Sequence, residues 1–396
     1  MNKALSALLG AATAGSLLMG MAPHSMAEPV LTDEQKKEVA GLAQQYLQER
    51  AERLVVGTVR AQQSMTSVRT SSALSERFAA EARGLDERRE KSRQANGGKK
   101  AAAVDLQDVK WSGDSTNVQL DATESTKLFF VQHGPGAPDH EQFWLEHTFI
   151  FVRGQGGWTM SRATPHLQAG PAPSTQVASG RPPVASEPKT DQLPLWSDTD
   201  RSHPTTAAVS RKVLSGEVGA AGPPYDYYRM VNYARVWAYG RNPEYRDYPD
   251  NDCTNFISQV MRSGGWDFNG SGIFERDDPD KWFYGGGPGE TFLTSYSWAG
   301  AHNWGVFAQI YSKRTSGLEN VWLMDLADVL QVDWFHDDGA NIIDHSMVVT
   351  WRDDSGGPYA QELYLTYHTA NNRDKKLTDL LAENSNPAHT WYAHRT

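Results

Sequence analysis

Cys253 is the only cysteine in the 396-residue sequence, and its neighbours Asp252 and Thr254 are polar. A chain with one cysteine cannot form an internal disulfide. The first residues predict export, as described below, and a lone thiol outside the cell is a liability unless it has a chemical task. Cys253 is therefore a candidate nucleophile, and the alternative is an inert, buried, small side chain.

Cys253 stands where the chain is predicted to begin a helix. Residues 254–263 have an apolar face and end at Gly264 and Gly265, a pattern typical of a helix. The unpaired amides and the dipole of a helix N-terminus stabilise a thiolate and lower its pKa from about 8.5 towards neutrality. The backbone N–H of Cys253 is also a natural donor to the oxyanion of a tetrahedral intermediate.

The residues before Cys253 are candidates for supporting this site. Asn251 and Asp252 have side chains that commonly cap a helix N-terminus. A second oxyanion donor is also required, and Asn251, Asp252 and Tyr248 are all open candidates for it.

A thiol nucleophile needs a base, and His345 is the preferred candidate. It stands at the start of an apolar segment, residues 345–350, that is predicted to be a strand and would hold the ring rigidly. Three other histidines are rivals, His336, His389 and His394.

A third residue is expected to orient the imidazole of His345 from the neighbouring strand. His368 is the first candidate, and Asn371 and Asn372 are the alternatives. Each could accept the second ring N–H of His345 and so fix its tautomer.

Other chemistries find little support in the sequence. The acidic residues of two loops, 277–280 and 333–338, lack the spacing of a calcium-binding loop, and no zinc or phosphate-binding motif is present. We therefore expect no metal and no cofactor. The 38 basic against 48 acidic residues give a net charge of −10, which disfavours a nucleic-acid partner.

The chain divides into four segments by composition. Residues 1–27 have the charged start, apolar run and small-residue ending of a signal peptide. Residues 28–164 predict an N-terminal α+β domain, 165–224 a Pro/Ser/Ala-rich linker that is flexible in part, and 225–396 a C-terminal domain. We expect a secreted or cell-wall-associated monomer without stable membrane insertion.

The pattern of apolar residues predicts the elements of both domains. The helices are predicted within 31–83 and over 225–239, 254–263 and 297–314. The strands are predicted over 104–111, 117–122, 126–132, 144–152, 157–163, 326–335, 342–352, 361–369 and 389–394. Helices followed by antiparallel strands are the order expected of a papain-like C-terminal domain.

The C-terminal segment resembles the putative amidase domain family of exported bacterial proteins. The resemblance lies in the sequences Arg-Asn-Pro-Glu-Tyr at 241–245, Asp-Cys-Thr-Asn-Phe-Ile-Ser-Gln at 252–259, Asp-His-Ser-Met-Val-Val-Thr at 344–350 and Leu-Thr-Tyr-His-Thr at 365–369. It implies a papain-like Cys-His hydrolase related to CHAP-type cell-wall enzymes, with Cys253 as nucleophile, His345 as base and His368 as orienting residue. In one departure, Ala327 stands where these folds usually carry glycine, which puts the local backbone geometry in doubt.

The leading prediction is an exported thiol-dependent amidase or peptidase that cleaves amides in peptidoglycan through an acyl-enzyme. One alternative is a catalytically silent module that binds the cell wall. Another is a secreted effector that deamidates or transamidates host proteins with the same chemistry.

Overall fold

The structure is a computed structural model and describes residues 31–57, 66–168, 170–177, 193, 196–201, 225–249, 251–286, 293–334, 342–355 and 362–396. The predicted signal peptide, residues 1–27, and His336 lie outside these residues. Helices pack against one large antiparallel sheet, which confirms the α+β class. The finer prediction of a papain-like C-terminal domain and the division into two domains and a linker stay predictions.

The described residues of the N-terminal half form two helices and four strands. They are α1 (Asp33–Glu52), α2 (Ser72–Gln94), β1 (Lys99–Gly113), β2 (Asn117–Phe130), β3 (His140–Gly154) and β4 (Gly157–Pro165). Thr32 caps α1 through a capping box with Gln35. The helices cover one face of the strands, where Tyr46 stacks on Phe78 with ring centroids 4.5 Å apart.

Two predictions in this half are wrong in their bounds. Helix α2 continues to Gln94, beyond the segment 31–83 in which helices were predicted, and β2 is one strand where the sequence predicted two. The predicted gap in β2 is polar, but Glu124 is fully buried there and accepts a hydrogen bond from His147 at 2.7 Å. The hydrogen bond between Glu124 and His147 thus allows β2 to continue through a polar stretch whose sequence predicts the end of a strand.

The C-terminal half contains the remaining elements. The helices are α3 (Tyr227–Val236), α4 (Cys253–Ser263), α5 (Tyr296–Ala299), α6 (Ala301–Val306) and α7 (Leu377–Glu383). The strands are β5 (Ser316–Leu318), β6 (Val329–Asp333), β7 (His345–Asp353), β8 (Glu362–Tyr367), β9 (Asn372–Lys376) and β10 (Thr390–Arg395).

The predicted helix over 297–314 is broken into pieces. Gly300 has an extended backbone with φ −96° and ψ 130°, which ends α5 and begins α6, and a π-helical turn follows at Phe307–Tyr311. Strand β9 and helix α7 were not predicted at all. The sequence of β9 is charged, but Asp374 and Lys375 are buried and held by ion pairs.

The strands of both halves form one sheet in the order β1-β2-β3-β9-β8-β7-β6-β10-β5, with β4 also paired to β3. The junction is short, because β3 and β9 pair only through Gln142–Arg373 and Phe143–Asn372. Helices α3 and α4 pack on one face of the C-terminal strands and bury residues that include Phe256 and Val348. The opposite face carries a second core with α7, which includes Met347 and Val349.

Candidate functional site

Cys253 is the first residue of α4, as the sequence predicted to within one residue, and its side chain is buried. Its Sγ lies 3.7 Å from Oδ1 of Asn251, to which the S–H donates, and 3.6 Å from Oγ1 of Thr254. The apolar face of α4 anchors the helix in the core, so the thiol is held at a fixed place on the N-terminal turn. This is the position at which a helix favours a thiolate.

Asp252 occupies the N-cap position of α4, but its side chain makes no capping hydrogen bond. The carboxylate is engaged elsewhere: Oδ1 accepts from Nδ2 of Asn255 at 2.7 Å, and Oδ2 contacts His368 and Arg241. The backbone N–H of Asp252 donates to Oγ1 of Thr369 at 2.9 Å. The expected capping role is therefore corrected, since Asp252 fixes the loop before Cys253 to the strand end instead.

His368 lies on the same side of the sheet as α4 and is bonded through both ring nitrogens. Nδ1 is 2.5 Å from Oδ2 of Asp252, Nε2 is 2.6 Å from the carbonyl oxygen of Trp237, and the ring stacks on Phe256 at 3.9 Å. The expectation that His368 hydrogen-bonds to His345 is thus not met in this structure. Its contacts make it a positioning residue for Asp252.

Nε2 of His368 faces an acceptor, the carbonyl oxygen of Trp237 at 2.6 Å, and a donor, Nη1 of Arg241 at 3.3 Å. A neutral ring protonated on Nδ1 donates to Asp252 and accepts from Arg241 through Nε2, whereas donation to Trp237 O as well requires the imidazolium form. Burial lowers the pKa of His368, and Arg241 lowers it further. The lowered pKa favours the neutral ring, in which Nδ1–H donates to Asp252.

His345 begins β7 at the end of the sheet where β8 finishes, and its side chain is fully buried. Neither ring nitrogen hydrogen-bonds to any residue that the structure describes. Burial lowers the pKa of His345 to about 3, so the buried ring is neutral and is a weaker base than an exposed histidine. The ring meets the edge of Tyr367 at 5.4 Å between centroids.

The structure brings Cys253 and His345 to the same end of the sheet without a hydrogen bond between them. Ser346 faces α4, because its Oγ lies 3.1 Å from Oγ1 of Thr254. Side chains alternate along a strand, so His345 faces the other way, towards the core that contains Tyr367. A reaction between the thiol and this imidazole requires the strand end to rearrange.

The alternative candidates have separate positions. Oδ1 of Asn371 accepts from Nη2 of Arg241 at 3.0 Å, whereas Oδ1 of Asn372 is buried without a hydrogen-bond partner in the described part of the chain. Nδ1 of His389 lies 2.8 Å from the carbonyl of Asn384. Burial lowers the pKa of His394, which packs on Trp304, to about 3.

Tyr248 is also tied to a neighbour, since its hydroxyl accepts from Nη1 of Arg246 at 2.8 Å. Both residues lie in the loop that precedes Cys253. A role as oxyanion donor stays a prediction for Tyr248, as it does for Asn251.

Sequence reasoning missed three residues of the site, Arg241, Thr369 and Gly170. Arg241 lies within a segment that carries the family resemblance, and its Nε is 3.1 Å from Oδ2 of Asp252, so its position in that segment was a usable signal. Thr369 directly follows His368. Gly170 belongs to the predicted linker, and its composition gives no indication that it reaches His345.

Within the described ranges, no three His, Cys, Asp or Glu side chains are grouped so as to hold a metal ion. In the same ranges, no helix has the length and apolar character needed to cross a bilayer.

The C-terminal half is thus an α+β structure with a candidate thiol site. Its cysteine begins a helix, and the antiparallel sheet beside this helix carries histidines. Residues 224–392 match the family model of the putative amidase domain, which confirms the resemblance predicted from the sequence around Cys253. The match includes Cys253, His345 and His368.

Two curated proteins of Bacillus subtilis (strain 168) are similar to this chain. The uncharacterized protein YjcM is 28% identical over 191 residues, which are 47% of this chain and 39% of that protein. The uncharacterized protein YhbB is 27% identical over 160 residues, which are 39% of this chain and 47% of that protein. The chain thus spans less than half the length of each relative. No solved structure matches this chain.

Proposed function

We propose that this protein is an exported, thiol-dependent amidase or peptidase that hydrolyses amide bonds in peptidoglycan or a related peptide. The observation that carries the proposal is Cys253 at the first position of α4, in a segment that matches an amidase family. The N-terminal turn supplies the electrostatic stabilisation that a thiolate and an oxyanion both require.

In the proposed reaction, Cys253 Sγ attacks the carbonyl carbon and forms a C–S bond. His345 takes the thiol proton and returns it to the leaving amine as the C–N bond breaks. Water then hydrolyses the thioester and restores the thiol. Asp252, His368 and Arg241 do not touch the reacting atoms, and their role is to hold the loop that positions Cys253.

The test compares hydrolysis of purified cell walls by the wild type, Cys253→Ala and His345→Ala, with mass spectrometry of the released fragments. We expect both variants to lose at least 100-fold in rate, in line with the loss of a nucleophile or a general base. Equal rates in all three proteins would eliminate the thiol mechanism. The fragments identify which amide is cut.

A second candidate function is a silent module that binds the cell wall. It is favoured by the buried thiol and by the absence of a hydrogen bond from His345 to any described residue. It predicts sedimentation with cell walls, no released fragments and no selective alkylation of Cys253 by iodoacetamide at pH 6. Fast alkylation at that pH would exclude it. A deamidating effector would instead show activity on proteins and none on walls.

A further inference from the structure

The segment of residues 170–177, named the strap here, lies in the predicted linker but is packed inside the protein. Ser174, Thr175 and Gln176 are buried. Two arginines of the N-terminal helices hold its backbone: Nε of Arg50 donates to Thr175 O at 2.7 Å, and Nη1 of Arg88 donates to Ser174 O at 2.7 Å and Gln176 O at 2.9 Å. The strap is therefore bound to the N-terminal half through its main chain.

The middle of the strap also enters a buried charge cluster shared by both halves. The hydroxyl of Ser174 donates to Oε1 of Glu141 at 2.6 Å and accepts from Nζ of Lys375 at 2.5 Å. Lys375 in turn bonds Glu383 at 2.8 Å. Because buried charges need every partner, this cluster resists displacement of Ser174.

The first residue of the strap lies against the candidate base. A β-carbon on Gly170 would overlap the carbonyl oxygen of Thr369 and would lie 2.7 Å from Nδ1 of His345. Just before the strap, Nε2 of Gln168 donates to the carbonyl oxygen of Pro249 at 2.6 Å. The chain thus bridges the loop that leads to Cys253 and the ring of His345.

We propose that the N-terminal half is an intramolecular inhibitor, which uses Arg50 and Arg88 to hold the strap over His345. The inference rests on the proposed function, because it takes His345 as the base. It assigns a task to residues 31–177: they keep the imidazole buried, and the strand end that carries His345 can rearrange towards the thiol only after the strap has moved. An amide substrate has to displace the strap or enter after it has been released.

Gly170→Ala tests this contact directly. The added methyl group cannot be accommodated while Gly170 touches His345 and Thr369, so it forces the strap away. The matched control is Gly157→Ala, since Gly157 has a similar φ of +97°, against +103° for Gly170, but has no atom within 4 Å of its β-carbon position. The control carries the same backbone strain without the steric conflict.

The readout is modification of His345 by diethyl pyrocarbonate, followed by mass spectrometry of the full chain. We expect at least a 10-fold faster modification in Gly170→Ala than in the wild type and in Gly157→Ala, and a parallel rise in cell-wall hydrolysis. Unchanged protection of His345 in folded Gly170→Ala would overturn the inference. Faster modification without hydrolysis would keep the strap as a cover and reject the thiol amidase.

A second pair of variants guards against misfolding of Gly170→Ala. A methyl group on Gly84 of α2 would lie 2.6 Å from Cγ1 of Val177, at the far end of the strap, whereas the same change at Gly41 of α1 meets no atom within 4 Å. Alanine favours a helix in both places. We expect Gly84→Ala to speed the modification of His345 at least 3-fold and Gly41→Ala to leave it unchanged. Equal rates in folded Gly84→Ala and Gly41→Ala would count against the strap as a cover.

Discussion

Nδ1 of His368 lies 2.5 Å from Oδ2 of Asp252, the residue immediately before Cys253. Together with the bond from the Asp252 N–H to Thr369, this contact attaches the loop before Cys253 to the end of β8 at two adjacent points. The position of the candidate nucleophile therefore depends on the buried hydrogen bonds of Asp252 as well as on the packing of α4.

Asp252→Asn should destabilise the protein by about 3–5 kcal/mol, because it leaves His368 and Arg241 without their shared buried anion. The free energy of unfolding in urea measures this. Asp247→Asn is the control, since Asp247 binds the same Arg241 at 3.1 Å but its side chain is 51% exposed. It should cost less than about 1 kcal/mol. Equal losses in the two variants would contradict the role given to Asp252.

Stability should fall as the pH is lowered from 6.5 to 5. His345 and His394 have folded pKa values of about 3 against 6.5 for the free side chain, because burial disfavours the charged ring. The unfolded state therefore binds more protons in this window, which costs about 1.4 kcal/mol per pH unit for each ring, or about 4 kcal/mol in all at pH 5. Burial also lowers the pKa of His368 and His389, which adds in the same direction.

Urea unfolding at pH 7.5, 6.5 and 5 measures this dependence. His345→Gln removes one of the two main contributions, so the loss between pH 6.5 and 5 should shrink by about 2 kcal/mol. The exposed His166 provides the control, and His166→Gln should keep the wild-type dependence. A stability that does not change with pH over this range would refute the buried neutral state of His345.

The charge cluster between the halves makes Lys375 sensitive to substitution. Burial disfavours its charge, but Glu141 and Glu383 outweigh this effect and raise its pKa. Lys375→Met leaves these carboxylates short of a cation and should cost about 3–5 kcal/mol in urea unfolding. Lys36→Met, which removes only a surface contact to Asp33 at 3.6 Å, should cost less than about 1 kcal/mol. A small loss for Lys375→Met would show that the cluster relaxes.

Ala327 has a left-handed backbone conformation, with φ +65°. Glycine adopts this conformation without strain, which fits the glycine that similar folds usually carry at this position. Relief of this strain by Ala327→Gly is worth about 1–2 kcal/mol, and the lost buried methyl and the freer unfolded chain offset most of it. The net change should lie within about 1 kcal/mol. Ala234→Gly, inside α3 and equally buried, should cost about 2 kcal/mol. Similar losses at both sites in thermal or urea unfolding would contradict this account.

The sequence predicted those parts of the fold in which local pattern and burial agree. The start of α4 at Cys253 is an example, because polar residues precede an apolar helical face. Prediction from the sequence failed where charged residues are buried beside partners that are distant along the chain. Strand β9 contains Lys375, whose partner Glu141 lies 234 positions earlier, and no local pattern reveals such a pair.

The site shows the same limit. The types of Cys253, His345 and His368 and their order along the chain could be read from the sequence, and all three lie near one end of the sheet. The hydrogen-bond partners of the histidine ring nitrogens could not be read from the sequence. They depend on the alternation of side chains along the strands and on the Asp252 side chain, which does not cap α4. Gly170 could not be anticipated at all, since its contact with His345 comes from a segment with linker composition.

The two residue pairs that join β3 to β9 bear on any attempt to express by itself the segment that matches the putative amidase domain. A truncated protein that starts near residue 224 would expose one side of β9 as a free edge. It would also leave Lys375 without its partner Glu141. Free strand edges recruit other chains. We expect such a fragment to self-associate, so the C-terminal half should be handled within the full chain.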